Sequence, residues 1–476
     1  MTTKTKLQPD VFLWIGAPVI FFVVTFAHMT ALENIALGFI GVGTIAVALT
    51  RSTPLPFRWP IALPAALWAG WALASVTWSA SPHESMHAWL DEVLYPIFAF
   101  FGFWLLGARA AQPERFVLAH WIGCVLLAFV SLVNWGHLQP PTADTFMLHY
   151  YNRVGHTSTI AIFAMALFAV LMFVRKWRVI GVTGMLLALF IGIATLNRFF
   201  GIAAFVTIVI AIYPLYRRHM LIAGGVLIMC AVATVGALEI SSRMRFERVP
   251  APLPAHGVTI EGDRIPVPSF LPGIADTLAA DTRPRLWAFY GKSGAPHKWI
   301  GIGFGKPLSG EVYGKEIPPS LLAVEPLALT HAHNIFLNTW LETGIVGLVL
   351  EIALLIALAA RFWGLRREVP SIAAGGIALI GGMIAKNSTD DFMWQTTALA
   401  FWCFAGLMLG RGERIAGHLP PRVAPAPEKT PAASNSKGVN QKIKMVDSCV
   451  FRTEFACADA AMYAAKPQQT EYRGTI

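Results

Sequence analysis

Thr330-His-Ala-His-Asn-Ile-Phe-Leu-Asn-Thr-Trp-Leu-Glu-Thr-Gly-Ile-Val-Gly347 is where this chain passes from polar sequence into apolar sequence. The apolar run occupies 342–360 and stops at Arg361, Arg366 and Arg367. A polar entry, a run able to cross ~30 Å of hydrocarbon and a basic exit together describe a transmembrane helix. Working outward, the same pattern gives about twelve runs, near 11–28, 33–50, 59–79, 92–108, 116–135, 156–174, 179–196, 199–216, 219–239, 342–360, 371–388 and 393–410. Composition agrees. Hydrophobic residues make up 55% of the 476 positions and charged residues 13%. A water-facing surface needs about 25% charged residues, so most of this surface meets lipid.

Val11–Ala27 follows a basic start (Lys4, Lys6) as a signal peptide does, but no A-x-A-like cleavage site precedes the next run, Asn34–Thr50. The expectation is a retained first span. Lys and Arg mark cytoplasmic connectors. Lys4/Lys6, Arg51/Arg58, Arg109/Arg115, Arg175/Lys176/Arg178, Arg217/Arg218, Arg361/Arg366/Arg367 and Arg411/Arg414 alternate with connectors at Met29–Glu33 and Ser79–Glu92 that carry none. An even number of spans then puts both termini in the cytoplasm. The net charge of +10 is mostly this bias. It needs no nucleic-acid partner, because the basic clusters lack the interleaved aromatics of single-strand binders.

The implied fold class is an all-α polytopic membrane protein of about twelve transmembrane helices with one large outer loop. Residues 1–240 hold the first nine spans, 241–332 an outer loop domain, 333–411 the last three spans and 412–476 a disordered Pro/Ala/Lys-rich cytoplasmic tail. A structureless loop of that length is unusual in a compact protein. The spacing predicts a cap with a helix near Asp281–Lys292 and a glycine turn near Trp299–Gly305. None of the five cysteines falls in this loop, so no disulfide is expected there.

Three basic residues break the charge pattern on the outer side, Arg153, Arg198 and Lys386. Each marks either a substrate route or a side chain reaching toward headgroups. On a helix, His333, Leu337, Trp340 and Gly344 share one face with Gly347 nearby, which would let a second helix approach. His333 would point into that contact, and a neutral imidazole can take a hydroxyl proton near neutral pH. A backbone-bonded interfacial histidine is the alternative. His331 and His333 raise a metal reading, but H-x-H without a neighbouring carboxylate or cysteine is weak. Arg283 and Arg285 in the outer segment offer donor forks that suit phosphate oxygens. Arg285 is also one helical turn from Asp281 and can pair with it. Asp390 and Asp391 can pair with Lys386 or with an outer arginine. No P-loop, dinucleotide fingerprint or nucleophile elbow occurs.

His333-Asn334, nine residues, then Gly344-x-x-Gly347 resembles the signature of O-antigen ligases. The Arg-Leu-Trp at 285–287, the Gly301-Ile-Gly-Phe-Gly305 turn and Asn387-Ser-Thr-Asp-Asp-Phe392 are similar to other segments of the ligase and polymerase superfamily. The resemblance covers roughly 10 to 412. It implies a GT-C-like glycosyltransferase of the bacterial inner membrane whose site faces the periplasm. It implies transfer of O-antigen from undecaprenyl diphosphate to lipid A–core oligosaccharide, inverting and without metal or cofactor. In that reading Arg198 and Arg285 hold the diphosphate and His333 aligns or deprotonates the acceptor hydroxyl. Arg283, His331, Asn334, Arg153, Lys386 and Asp390 bind substrate around them, and Gly344 and Gly347 are structural. Membrane lipid is the remaining partner. The rivals are a polymerase, an O-linking protein oligosaccharyltransferase and, without chemistry, a lipid or solute transporter.

Overall fold

A computed structural model describes residues 10–26, 29–49, 58–133, 154–195, 197, 199–216, 219–248, 281–322 and 329–418. Arg153, Arg198, residues 249–280 and 323–328 of the outer loop and the tail from 419 on lie outside the described residues. Regular structure among the described residues is helical, with no strand. The principal helices are α1 (Asp10–Val23), α2 (Thr30–Ala48), α3 (Ala62–Ser75), α4 (Pro82–Trp89), α5 (Tyr95–Arg109), α6 (Glu114–Val133), α7 (Val154–Met172) and α8 (Arg178–Ala194). They continue as α9 (Phe200–Ala211), α10 (Met220–Arg248), α11 (Arg283–Ser293), α12 (Leu308–Tyr313), α13 (Ile335–Gly364), α14 (Pro370–Asn387) and α15 (Gln395–Ile415).

Each of the twelve apolar runs is occupied by a helix. Seven described helices are long and apolar enough to cross a membrane, and the chain is a membrane protein of several spans. Burial sorts them. In α7, 94% of the spanning window is enclosed, against 6% in α10, so α7 is central and α10 presents its apolar surface outward. The closest pairing joins α5 to α15 through glycines. A Cβ on Gly410 would sit 2.0 Å from the Trp104 carbonyl oxygen, and one on Gly406 2.3 Å from that of Phe100. Backbones that approach this closely gain the dispersion contacts that hold helices together in lipid. At the far end of that pair, Trp104 donates to Glu413 at 2.8 Å, and Arg109 pairs with Asp10 at 2.8 Å.

The outer segment contains α11 and the glycine turn, as the spacing predicts. It has its own small core of Leu286, Tyr290, Ile302, Leu308, Tyr313 and neighbours. Leu337, Trp340 and Leu341 pack on that core. The first part of α13 is therefore built into the cap.

This corrects the helical-face reading of His333 to Gly344. His333 lies before the helix with φ 53°, and Asn334 is the N-cap, accepting from the Leu337 amide at 3.0 Å. Gly344 is no packing notch on a continuous helix either. It adopts φ 70°, ψ −173° and divides α13 into two halves. The glycine turn crosses the chain at this break. A Cβ on Gly344 would lie 2.2 Å from the Trp299 carbonyl carbon, and one on Gly301 (φ 72°) would lie 2.3 Å from that of Glu342. The turn also repairs the hydrogen bonds the break removes. Ile302 and Gly303 amides donate to the Leu341 and Glu342 carbonyls, each at 2.9 Å, and the Ile345 amide donates to Lys298 at 2.8 Å. Trp71 on α3 satisfies the Thr343 carbonyl at 2.9 Å. A broken helix is tolerated at membrane depth when protein supplies these partners.

The crossing makes a sharp prediction. Gly344→Ala forces a Cβ into a backbone and a side chain into left-handed φ, costing at least about 2 kcal/mol. Gly224→Ala on α10, where nothing lies within 4 Å, is the control. Thermal unfolding in detergent should show a large loss for the first and none for the second.

Candidate functional site

The cap, the start of α13 and the α14–α15 connector meet at one end of the bundle, and the side chains buried there are mostly ionic. Asp390 is the hub. It accepts from Arg283 at 2.6 Å, from Lys386 at 2.8 Å and from Asn197 at 3.1 Å. Arg283 opens α11, donates to the Thr389 carbonyl, pairs with Asp281 at 3.2 Å and lies 4.6 Å from the Phe199 ring. Lys386, on the last turn of α14, is wholly buried and lies 5.3 Å from the Phe392 ring. Burial alone would raise the Asp390 pKa, but the Lys386 and Arg283 charges hold it well below the usual carboxylate range. The Arg283 guanidinium opposes its own desolvation through Asp390 and Asp281, which push its pKa up.

Asp391, facing the other way, belongs to a second cluster. Lys306, just after the glycine turn, reaches Glu92 at 3.0 Å, the Met393 carbonyl at 2.7 Å and Asp391 at 3.6 Å. Asn338 donates to Asp391 at 2.6 Å and accepts from the Ala332 amide at 2.7 Å, tying α13 to the connector. Burial would lower the Lys306 pKa, but Asp391, Glu92 and Glu342 raise it instead. Glu342 lies at the α13 break and accepts from the Gly305 amide at 3.3 Å. Glu92 lies on a π-helical turn, Leu90–Leu94, between α4 and α5. Such turns re-aim side chains and recur at functional sites.

The two histidines lie between the clusters, both buried, with ring centroids 4.2 Å apart. His333 Nδ1 is 4.0 Å from Asp390, an ion-pair distance longer than a hydrogen bond. Its left-handed backbone is the kind of local strain that the Asn334 cap and the Asn338 bond enforce from either side. His331 accepts or donates at Thr330 Oγ1, 2.8 Å away, and its ring lies 5.7 Å from that of Trp394. Its Nε2 has no hydrogen-bond partner among the described residues. Burial pushes its pKa down to about 4, the Lys306 and Arg283 charges adding and Asp390 opposing. It is neutral at physiological pH.

The structure thus brings Arg283, Lys386, Asp390, His331, His333 and Asn334 together, the last through a 2.8 Å bond to the Ser388 carbonyl. Arg285 is placed differently. It is exposed on α11, two residues beyond Arg283, with no ion-pair partner among the described residues. Asp281, its alternative partner by spacing, pairs with Arg283. Arg198 and Arg153 lie outside the described residues, although the neighbouring Asn197 does reach Asp390. Lys306, Glu92, Glu342 and Asn338 were missed by sequence reasoning. A lysine directly after a glycine turn was the available signal for Lys306. For Glu92 there was none, since π turns have no sequence signature.

The fold and this site define a polytopic membrane protein with a buried ionic centre at one end of the bundle. Residues 146–352 match a family model described as O-antigen ligase, and over that stretch the chain carries the domain of this family. The match includes Asn197, Arg283, Lys306 and both histidines. Glu92 and the connector from Lys386 to Trp394 lie beyond it. The family covers ligases and related polymerases, which are enzymes of the glycosyltransferase kind. A comparison with curated proteins finds none that matches it.

Two outcomes test this geometry. Asp390→Ala leaves the Lys386 ammonium buried without its carboxylate, at a cost of about 3–5 kcal/mol. The double variant Asp390→Leu/Lys386→Met should recover much of it in detergent unfolding. His331 binds its proton less tightly when folded, so stability is complete above about 6.5 and falls as pH drops toward about 4. His331→Gln should flatten that part of the unfolding profile.

Proposed function

We propose that this protein transfers O-antigen from undecaprenyl diphosphate to a sugar hydroxyl of lipid A–core oligosaccharide. The observation carrying this reading is the convergence of His331 and His333 with the Arg283–Asp390–Lys386 cluster, in a chain that carries the O-antigen ligase domain. The site end is periplasmic in a twelve-span, GT-C-like bundle of the inner membrane with both termini cytoplasmic. The charge alternation of the connectors supports that orientation.

In the proposed step the acceptor hydroxyl oxygen attacks the anomeric carbon from the face opposite the diphosphate. The carbon–oxygen bond to the diphosphate breaks, the configuration inverts, and the hydroxyl proton passes to His333. Asp390, 4.0 Å from His333 Nδ1, stabilises the imidazolium that results. Arg283 is held by two carboxylates and acts as a strut. The exposed Arg285 keeps its full set of donors for diphosphate oxygens, and Arg198 and Arg153 are assigned to the same anionic substrate. Lys386 and Asp390 hold the floor, and Asn334 fixes the turn that carries His333. Positioning and charge stabilisation suffice, because a diphosphate is already a good leaving group.

Reconstitution tests this reading. Purified protein, lipid-linked glycan and lipid A–core should yield capped lipopolysaccharide without added nucleotide. His333→Ala and Arg285→Ala should each lower the rate by about 10²–10³, the scale set by losing one transition-state donor. A strain lacking the gene should accumulate carrier-linked polymer beside uncapped lipid A–core. Product formed only with a second lipid-linked glycan as acceptor would instead make the protein a polymerase. Full activity in either variant would refute that residue's role.

A further inference from the structure

A second polar space opens beside the ionic centre, at the same end of the bundle. It is a small cleft bounded by Glu33, Asn34 and Thr30 of α2, Asp91 and Tyr95 at the π turn, and Gln395 at the start of α15. Two leucines close its apolar side. Glu33 is buried, and its carboxylate accepts from the Thr396 hydroxyl at 2.8 Å. Gln395 holds a left-handed backbone at φ 44°, unusual for a residue with a Cβ.

The cleft and the ionic centre share their walls residue by residue. Asp91 lines the cleft, while the adjacent Glu92 pairs with Lys306. Gln395 lines the cleft, while Met393, two residues earlier, accepts from the same lysine. The π turn and the α15 entry therefore present one face to each space. Their chemistry differs. The ionic centre holds three cations. The cleft lining has two carboxylates, two amides, a hydroxyl and a phenol ring, with no Lys or Arg. Such a lining offers phosphate no cation and favours neutral groups that donate hydrogen bonds. Carboxylate oxygens accept pairs of hydroxyl protons, amides donate and accept, and an aromatic ring covers an apolar C–H face.

We infer that this cleft is a saccharide subsite, binding hydroxyl-rich, uncharged sugar of one glycan substrate next to the reacting centre. The inference rests on the proposed function for its transfer arm, while its binding arm stands apart. The sugar belongs either to the donor chain near its diphosphate or to the acceptor near its reacting hydroxyl.

Full-length protein in lipid nanodiscs separates the possibilities. The probes are two soluble, phosphate-free oligosaccharides, one released from lipid A–core and one from O-antigen, followed by saturation-transfer NMR. One of them should bind the wild type. Asn34→Ala and Gln395→Ala, both at exposed positions, should weaken it about tenfold, as should Glu33→Gln, the scale of a hydrogen bond to a charged group. Inorganic pyrophosphate should not displace it. In the transfer assay the same variants should raise KM about tenfold for the substrate carrying that saccharide, with a smaller change in kcat and none in the other KM. Binding of neither oligosaccharide, equal binding by all variants, or displacement by pyrophosphate overturns the inference. Wild-type protein that binds the oligosaccharide through these residues but transfers no glycan supports the subsite and refutes the proposed function instead.

Discussion

Everything at the working end depends on the burial of three cations against Asp390 and Asp391. A lysine or arginine taken out of water without its carboxylate costs several kcal/mol, so these segments can only be buried together. Lys386 comes from α14, Arg283 from the cap and Lys306 from the glycine turn, and the two aspartates occupy consecutive positions of one short connector. Their side chains diverge, so a single dipeptide joins cap, spans and the π turn of Glu92. The histidines gain their setting from the same arrangement. His333 faces Asp390, and His331 is kept neutral by burial, with the Lys306 and Arg283 charges adding.

The glycine crossing supports that constraint mechanically. Without the break at Gly344, α13 would run straight past the cap. With it, the first half of the helix packs on the cap core and the second half runs on as a span. The glycine turn holds the two together: Ile302 and Gly303 donate to the first half, and Ile345 of the second half donates to Lys298. Lys306 follows the turn by one residue, so the contact that closes the helix break also delivers the ammonium to Asp391 and Glu92. A site whose supports are this interdependent holds its geometry well, as positioning catalysis requires. Beside it, the cleft at Glu33 and Gln395 holds no lysine or arginine, so the two neighbouring spaces differ in charge.

Much was legible in the chain itself. Hydropathy runs placed a helix in each of the twelve positions, because lipid demands continuous apolar sequence. The cap helix at 283–293 and the glycine turn were legible for local reasons, spacing in one case and positive φ at Gly301, Gly303 and Gly305 in the other. Pairing of Asp390 with Lys386 or an outer arginine was also foreseeable, and Asp390 pairs with both. The helical-face reading of His333 failed because it assumed that one hydrophobic pattern means one unbroken helix. Arg283 and Arg285 were indistinguishable by residue type. Which of them entered the cluster was decided by the side of α11 that meets the connector.

Sequence alone determined what each segment is, since span length, cap residues and glycine turns follow from interactions within a few positions of the chain. Tertiary structure decided which charges meet. Glu92, Lys306, Glu342 and Asp391 are far apart in the chain, and neither the helix break, the π turn nor the place where the glycine turn crosses α13 has a local signature. Their energy resides in long-range desolvation and pairing, which exist only once the pieces are assembled.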